Sequence, residues 1–408
     1  GFSGGVTPGR FNPVLVHLRN TTPEPIEKVI MLRRTQGVAS PIGADLAKRV
    51  YLMPLQSRAV PFVVYVPRHY TQWELTWRGQ RGRAVLPPPT GNTTPVTVLL
   101  RPDDAPPRRG LRLPVCQARR FPGTVAATDG LAMVLLAEDP ALDLTRAEAL
   151  VDFVRAGGTV GMLRGPSGEY PTFSGALRTF ASPLDWLPLG RGRVVRLDAD
   201  LADLTDPAKL DALDLPTPTT NPSNAESSAA VRDAFRKLVA VDHNWVLIYL
   251  VAIGFILLIG PLHWLTTLRR LDWRLSLVAL LAVVAMTTLV YDIVGRRGVG
   301  ERTVVHSIGY AKQISPGVFD VAQHVHIFVA AGGQYPVQHS SDRNLYSAGQ
   351  VWARVPAIFV GGRPGVMQVD IPLYSSRGLL HRARIDATPL DAILEAPDDA
   401  AAAPTIPL

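Results

Sequence analysis

The chain has one cysteine, Cys116, in 408 residues. A single thiol excludes an intrachain disulfide and any zinc site built on cysteine pairs, and it leaves the redox compartment open. Histidine is absent between His69 and His243. No HExxH, phosphate-binding loop or dinucleotide fingerprint occurs; Gly157-Gly158 reads as a helix stop and Gly361-Gly362 as a hairpin turn. The net charge is +8, with Arg outnumbering Lys, but no basic run is interleaved with aromatics. The expectation is therefore no nucleic-acid partner, and some attraction to anionic headgroups.

What the chain does have is two apolar runs, residues 246–262 and 275–290, joined by an Arg-rich connector around Arg269, Arg270 and Arg274. Each is close to the ~20 residues that cross a hydrocarbon core. Trp245, Tyr249, Trp264, Trp273 and Tyr291 flank them as interfacial aromatics do. The pattern predicts a transmembrane helical hairpin over 244–295, with both flanking regions on one side of the bilayer. Gly1 stands where Met would, so removal of a signal segment and a periplasmic location for the large domains are expected, in a bacterial cytoplasmic membrane.

Residues 1–108 alternate apolar and polar positions in short runs between turn signals, which predicts an Ig-like β-sandwich. Residues 109–213 change period. A short apolar strand pattern over 131–137 precedes an amphipathic helix carrying Leu144, Ala147, Leu150, Val151 and Val154, then Gly157-Gly158 and a further strand. That is the rhythm of a βαβ unit. Residues 214–243 read as a linker and short helix, 296–387 as a second β domain, and 388–408 as an Ala/Pro-rich tail. The expected fold class is a multidomain α+β membrane protein.

Three segments carry a resemblance: Thr7-Pro8-Gly9-Arg10-Phe11-Asn12-Pro13-Val14; residues 144–163 with Val151-Asp152-Phe153-Val154-Arg155-Ala156-Gly157-Gly158; and residues 249–270 with Leu257-Leu258-Ile259-Gly260-Pro261-Leu262. On these the chain resembles bacterial membrane proteins with a β-sandwich, a class I glutamine-amidotransferase-like domain, a transmembrane hairpin and a final β domain. An active amidotransferase needs a Cys on a strained turn, a His to activate it and an acid to orient the His. Cys116 lacks small flanking residues, and its segment contains no His. The expectation is a degenerate, non-catalytic α/β domain with no cofactor.

The remaining candidates are weighed the same way. His324 and His326 share a strand face and could begin a metal site, with His306, His339 or His381 as third ligand only if the fold gathers them. His263, beside Trp264, could ligate a porphyrin-type pigment or anchor the helix at the interface. Gly254, Gly260, Pro261 and Trp264 serve either packing within the hairpin or docking against helices of another subunit. The function expected is a membrane-anchored structural subunit of a larger complex, energy-transducing or photosynthetic among the hosts considered, with other integral membrane proteins and lipid as partners. The alternative is a membrane-tethered carbohydrate- or peptide-binding protein, with Tyr70, Trp73 and Trp77 as an aromatic platform.

Overall fold

The computed structural model describes residues 2, 6–36, 40–67, 72–77, 83–86, 95–108, 110–165, 167–181, 184–213, 215, 245–268, 273–296, 303–339, 344–347, 354–360 and 365–389. The described residues are rich in β-sheet, with a few helices. The linker at 216–244 and the tail from 390 onward lie outside the described residues.

Strands β1 (Arg10–Arg19) and β4 (Ser57–Val66) pair antiparallel in unbroken register, from Arg10↔Val66 to Arg19↔Ser57. The period-2 alternation of β4 places Val60, Phe62, Val64 and Val66 on one face. They pack against Ile30 and Leu32 of β2 (Ile26–Gln36), Val50 and Leu52 of β3 (Ser40–Leu52), and Trp73 and Leu75 of β5 (Gln72–Trp77). This is the sandwich core of the N-terminal segment.

The larger of the two sandwich sheets does not stop there. It has seven strands in the order β15-β18-β17-β3-β2-β5-β6, with β6 (Arg83–Leu86), β15 (Gly333–His339), β17 (Arg354–Val360) and β18 (Gly365–Ile371). β17 lies parallel to β3, with Ile358, Phe359 and Val360 opposite Asp45, Leu46 and Ala47. The segments read from sequence as separate β domains, 1–108 and 296–387, thus share one sheet. Such pairing leaves no local signal, because hydrophobic alternation records which face is buried and not which strand lies alongside.

The middle of the chain forms a six-stranded sheet, β11-β12-β10-β9-β7-β8. Its strands are β7 (Val96–Arg101), β8 (Val115–Gln117), β9 (Leu131–Leu136), β10 (Thr159–Arg164), β11 (Trp186–Leu189) and β12 (Gly192–Asp200). All pairings are parallel except the β11–β12 hairpin. Parallel strands need both faces covered. Helix α1 (Leu144–Arg155) covers one face through Leu150, Phe153 and Val154. On the other, Leu99, Met133, Leu135 and Leu163 pack with Leu204. The Asp143 side chain caps α1 by accepting from the Arg146 N–H at 2.9 Å. Gly157, at φ +116°, ends it. β7 belongs to this sheet, whereas its alternation suggested the N-terminal sandwich. It is a short apolar run flanked by neighbours on both sides, so its buried faces outweigh the alternation. A short helix, α2 (Pro207–Ala212), follows.

Helices α3 (Trp245–Leu268) and α4 (Trp273–Arg296) are 24 residues each and touch one another. Within α4, Trp273–Ile293 is long and apolar enough to cross a membrane, by length and composition; Val246–Pro261 of α3 is a shorter apolar stretch. Two hydroxyls in α4 are satisfied within the helix: Thr287 and Thr288 donate to the Val283 and Val284 carbonyls at 2.8 Å each.

The last sheet has four antiparallel strands, β13-β14-β19-β16, with β13 (Val304–Ser315), β14 (Val318–Val329), β16 (Asn344–Ser347) and β19 (Ser375–Asp386). One of its faces packs Ile327, Val329 and Leu379 on Met367, Val369 and Ile371 of the seven-stranded sheet. The other face meets the α/β unit.

Candidate functional site

The contact between β19 and the α/β unit is built from charge. Arg382 grips Asp320 with two parallel bonds, Nε to Oδ1 at 2.9 Å and Nη2 to Oδ2 at 2.6 Å. Its remaining nitrogen, Nη1, pairs with the Asp129 carboxylate of the α/β unit. Arg10 of β1 donates to the Asp129 backbone carbonyl at 2.5 Å. Two residues along β19, Arg384 Nε meets Asp152 Oδ2 of α1 at 2.7 Å. Lys312 of β13 donates to the Ala156 carbonyl at the C-terminal end of α1, where a cation also complements the helix dipole.

Burial acts on Asp129, Asp152, Arg382 and Lys312. Burial pushes the Asp129 carboxyl up, and the Arg382 charge only partly pulls it back. Asp152 is raised for the same reason, with Arg384 opposing. For Arg382, burial works against the charge, but Asp129 and Asp320 together outweigh it and hold the guanidinium ionised. Burial lowers Lys312, and the nearby Arg191 adds to the effect. A charge pair of this kind has its own solvation cost and chiefly fixes geometry: any other docking angle would bury unpaired ions. The arrangement ties the four-stranded sheet to β1 and to the α/β unit.

Cys116 is buried on β8, and burial pushes its thiol up to about 12, so it is no thiolate at neutral pH. Its sulfur's nearest polar partner is the Gln117 carbonyl at 3.7 Å. A cavity of about 250 Å³ reaches it, walled by Leu15, His17, Val98, Val115 and Arg120 among others. His17 comes from β1, so a histidine from outside the α/β segment does share a cavity with the cysteine.

The histidines divide into two groups. His339 and His381 belong to an aromatic stack between the two C-terminal sheets, with Tyr346 4.6 Å from His381 and 5.2 Å from His339, centroid to centroid. His381 Nε2 meets Asn344 Oδ1 at 2.7 Å, and burial, with His339 adding to it, pushes its pKa down to about 4. These two are core histidines. His306, His324 and His326 share one face of β13 and β14, His306 standing directly opposite His326. Among the described residues, no three His, Cys, Asp or Glu side chains converge closely enough to enclose a metal ion. The side chain of His263 lies outside the described residues.

On α3, a Cβ added to Gly254 or Gly260 would meet nothing within 4 Å. These glycines therefore do not serve close packing of α3 on α4. Trp264 is 65% exposed, and Pro261 is exposed inside the helix. Trp73 is buried in the sandwich core and Trp77 packs at its edge, so neither offers a free aromatic platform; Tyr70 lies outside the described residues.

The Arg382 lock escaped the sequence reading. Arg382 and Arg384 alternate along β19 as solvent-facing charges do, and nothing nearby in sequence marks Asp129 or Asp152 as their partners.

No family model and no curated protein matches the chain. Among solved structures it is similar to a cycloisomaltooligosaccharide glucanotransferase from Paenibacillus sp. complexed with cycloisomaltoheptaose, at 9% identity and a TM-score of 0.20. That alignment covers 94% of this chain and 71% of the other. A likeness at this score carries nothing about activity.

Proposed function

We propose that this protein is a non-catalytic, membrane-anchored structural subunit. In this reading α3 and α4 cross the bilayer of a bacterial cytoplasmic membrane as a hairpin, the β and α/β units stand on its periplasmic face, and both parts dock onto other integral membrane proteins. The observation that carries the reading is the outward surface of α3 and α4. Val246 is 70% exposed, Ile256 67% and Val278 64%, and the small residues Gly254 and Gly260 face outward with them. Apolar surface on this scale is stable in lipid or against other helices, and small residues let another helix approach closely. The ionic lock suits a scaffold, since it fixes the α/β unit against the β19 sheet. The buried, neutral Cys116 and the core placement of His339 and His381 favour a structural over a catalytic role.

The test is purification of the protein from its native membranes in a mild detergent, with mass spectrometry of whatever co-migrates. Stoichiometric integral membrane partners are expected. A monodisperse lone chain under those conditions would overturn the proposal.

A further inference from the structure

Three histidines occupy one face of the four-stranded sheet, at the end away from the ionic lock. The register sets this directly. His306 of β13 is the Cα partner of His326 of β14, and His324, two residues before His326, is the partner of Ile308. Directly opposed residues share a face, and residues two apart on a strand share it too. Opposed Cβ atoms stand ~5 Å apart and positions two apart on a strand ~7 Å. Two imidazoles at that spacing on one strand, with a third opposite on the next, can bind one ion with nitrogen–metal bonds of ~2.0–2.1 Å. Further along the same face come Tyr310 and Lys312, then Asp320, Arg382 and Arg384, where the α/β unit is docked. The histidine end is more open: His306 is exposed, and His324 and His326 are half-buried.

One detail explains why the rings do not converge as they stand. His326 lies over Gly378 of β19, its Cδ2 3.5 Å from where a Cβ would be. Its ring therefore leans toward β19 and away from His306. Binding requires the His326 side chain to turn back toward β13, where His306 is exposed. Each of the three makes contacts of its own in the present arrangement, so an ion has to compete with them.

We propose that His306, His324 and His326 form a binding site for a divalent transition-metal ion of the Zn2+ class. Neutral imidazoles suit Zn2+, Cu2+ and Ni2+, whereas Mg2+ and Ca2+ require oxygen ligands. Three histidines leave a fourth position for water or for a ligand from a neighbouring molecule.

The experiment is titration of the full-length, detergent-solubilised protein, carrying no polyhistidine tag, with Zn2+ alone by calorimetry. Cu2+ alone is used in parallel and read by electron paramagnetic resonance. One Zn2+ per chain is expected, with nitrogen hyperfine structure in the Cu2+ spectrum. His306→Gln, His324→Gln and His326→Gln are each expected to weaken binding by about tenfold or more, whereas His17→Gln, on β1, leaves it unchanged. His306 is exposed on an edge strand, so His306→Gln keeps the fold, checked by an unchanged circular dichroism spectrum. Zn2+ is expected to raise the thermal midpoint of the wild type and not of His306→Gln, because only the native state binds it. Absence of saturable Zn2+ binding would overturn the proposal. So would binding of full strength in the His306→Gln protein, or loss of binding with His17→Gln.

Discussion

Arg382 and Asp129 stand 253 positions apart in the chain and meet as a buried ion pair, with Asp320 held on the other side of the same guanidinium. A strand near the C-terminus is thereby tied to the loop that precedes β9. Loss of Arg382 would leave two buried carboxylates without their cation, while loss of Asp129 leaves Arg382 with Asp320. Arg382→Ala is therefore expected to destabilise the protein by about 3–5 kcal/mol, and Asp129→Ala by less. Denaturant unfolding of the detergent-solubilised protein measures both. Equal, small effects would show that the pair is solvated and the lock is weak.

The pH dependence of stability contains two opposing contributions. His381 is held near 4 in the fold against 6.5 for the free side chain, so the unfolded chain binds its proton first as pH falls. Its stabilising contribution is complete above 6.5 and is lost as pH falls from 6.5 through about 4, by at most ~3 kcal/mol. Asp129 and Asp152 are raised, so the fold takes up their protons before the unfolded chain does, and their contribution moves the other way, growing as pH falls through their raised values. His381→Phe, which keeps a ring against Tyr346, is expected to remove the acid-side loss between about pH 6 and 4. A midpoint-against-pH curve unchanged by that substitution would reject the assignment.

Gly192 opens β12 directly beneath the end of α1, where an added Cβ would overlap the carbonyl oxygens of Gly158 and Val154. Both obstacles are backbone and cannot rotate aside. Gly192→Ala is expected to cost about 1–3 kcal/mol or more. Gly168→Ala is not a matched control, because φ there is +81°. Gly123→Ala, which meets only the end of Thr145 at 3.1 Å, is expected to cost less. A neutral Gly192→Ala would mean that α1 and β12 are not packed this closely.

Cys116 gives a direct probe of burial. With its thiol pushed up to about 12, it is expected to react with a disulfide reagent only slowly at neutral pH, and rapidly once the protein is unfolded. In the proposed role, Cys116→Ser leaves association with membrane partners intact. Fast labelling of the native protein would place the thiol at the surface and reopen its role in the cavity it shares with His17.

Gly254 and Gly260 separate fold from assembly. Because a Cβ at either position would meet nothing within 4 Å, Gly254→Leu with Gly260→Leu is expected to leave the unfolding free energy within about 0.5 kcal/mol of the wild type. In the proposed role the same change weakens co-purification with integral membrane partners. Unchanged partner recovery would move the docking surface away from this face of α3.

The elements themselves were legible in the residues. The two apolar runs, the capped helix between Asp143 and Gly157, and the alternation of β4 are local signals, because period and capping depend on near neighbours. Trp73 and Trp77, four positions apart on β5, share a face as that alternation requires, and both pack on the sandwich core. Three things were decided only in three dimensions: the parallel pairing of β17 with β3, the transfer of β7 into the α/β sheet, and the meeting of Arg382 with Asp129. The same holds for the alignment of His306 with His326, since two residues on a strand reveal their shared face but never their cross-strand partner. The physical reason is common to all four. A residue's neighbours along the chain set its conformation and which side is buried, while pairing between distant segments depends on register and complementary burial that no short window of sequence contains.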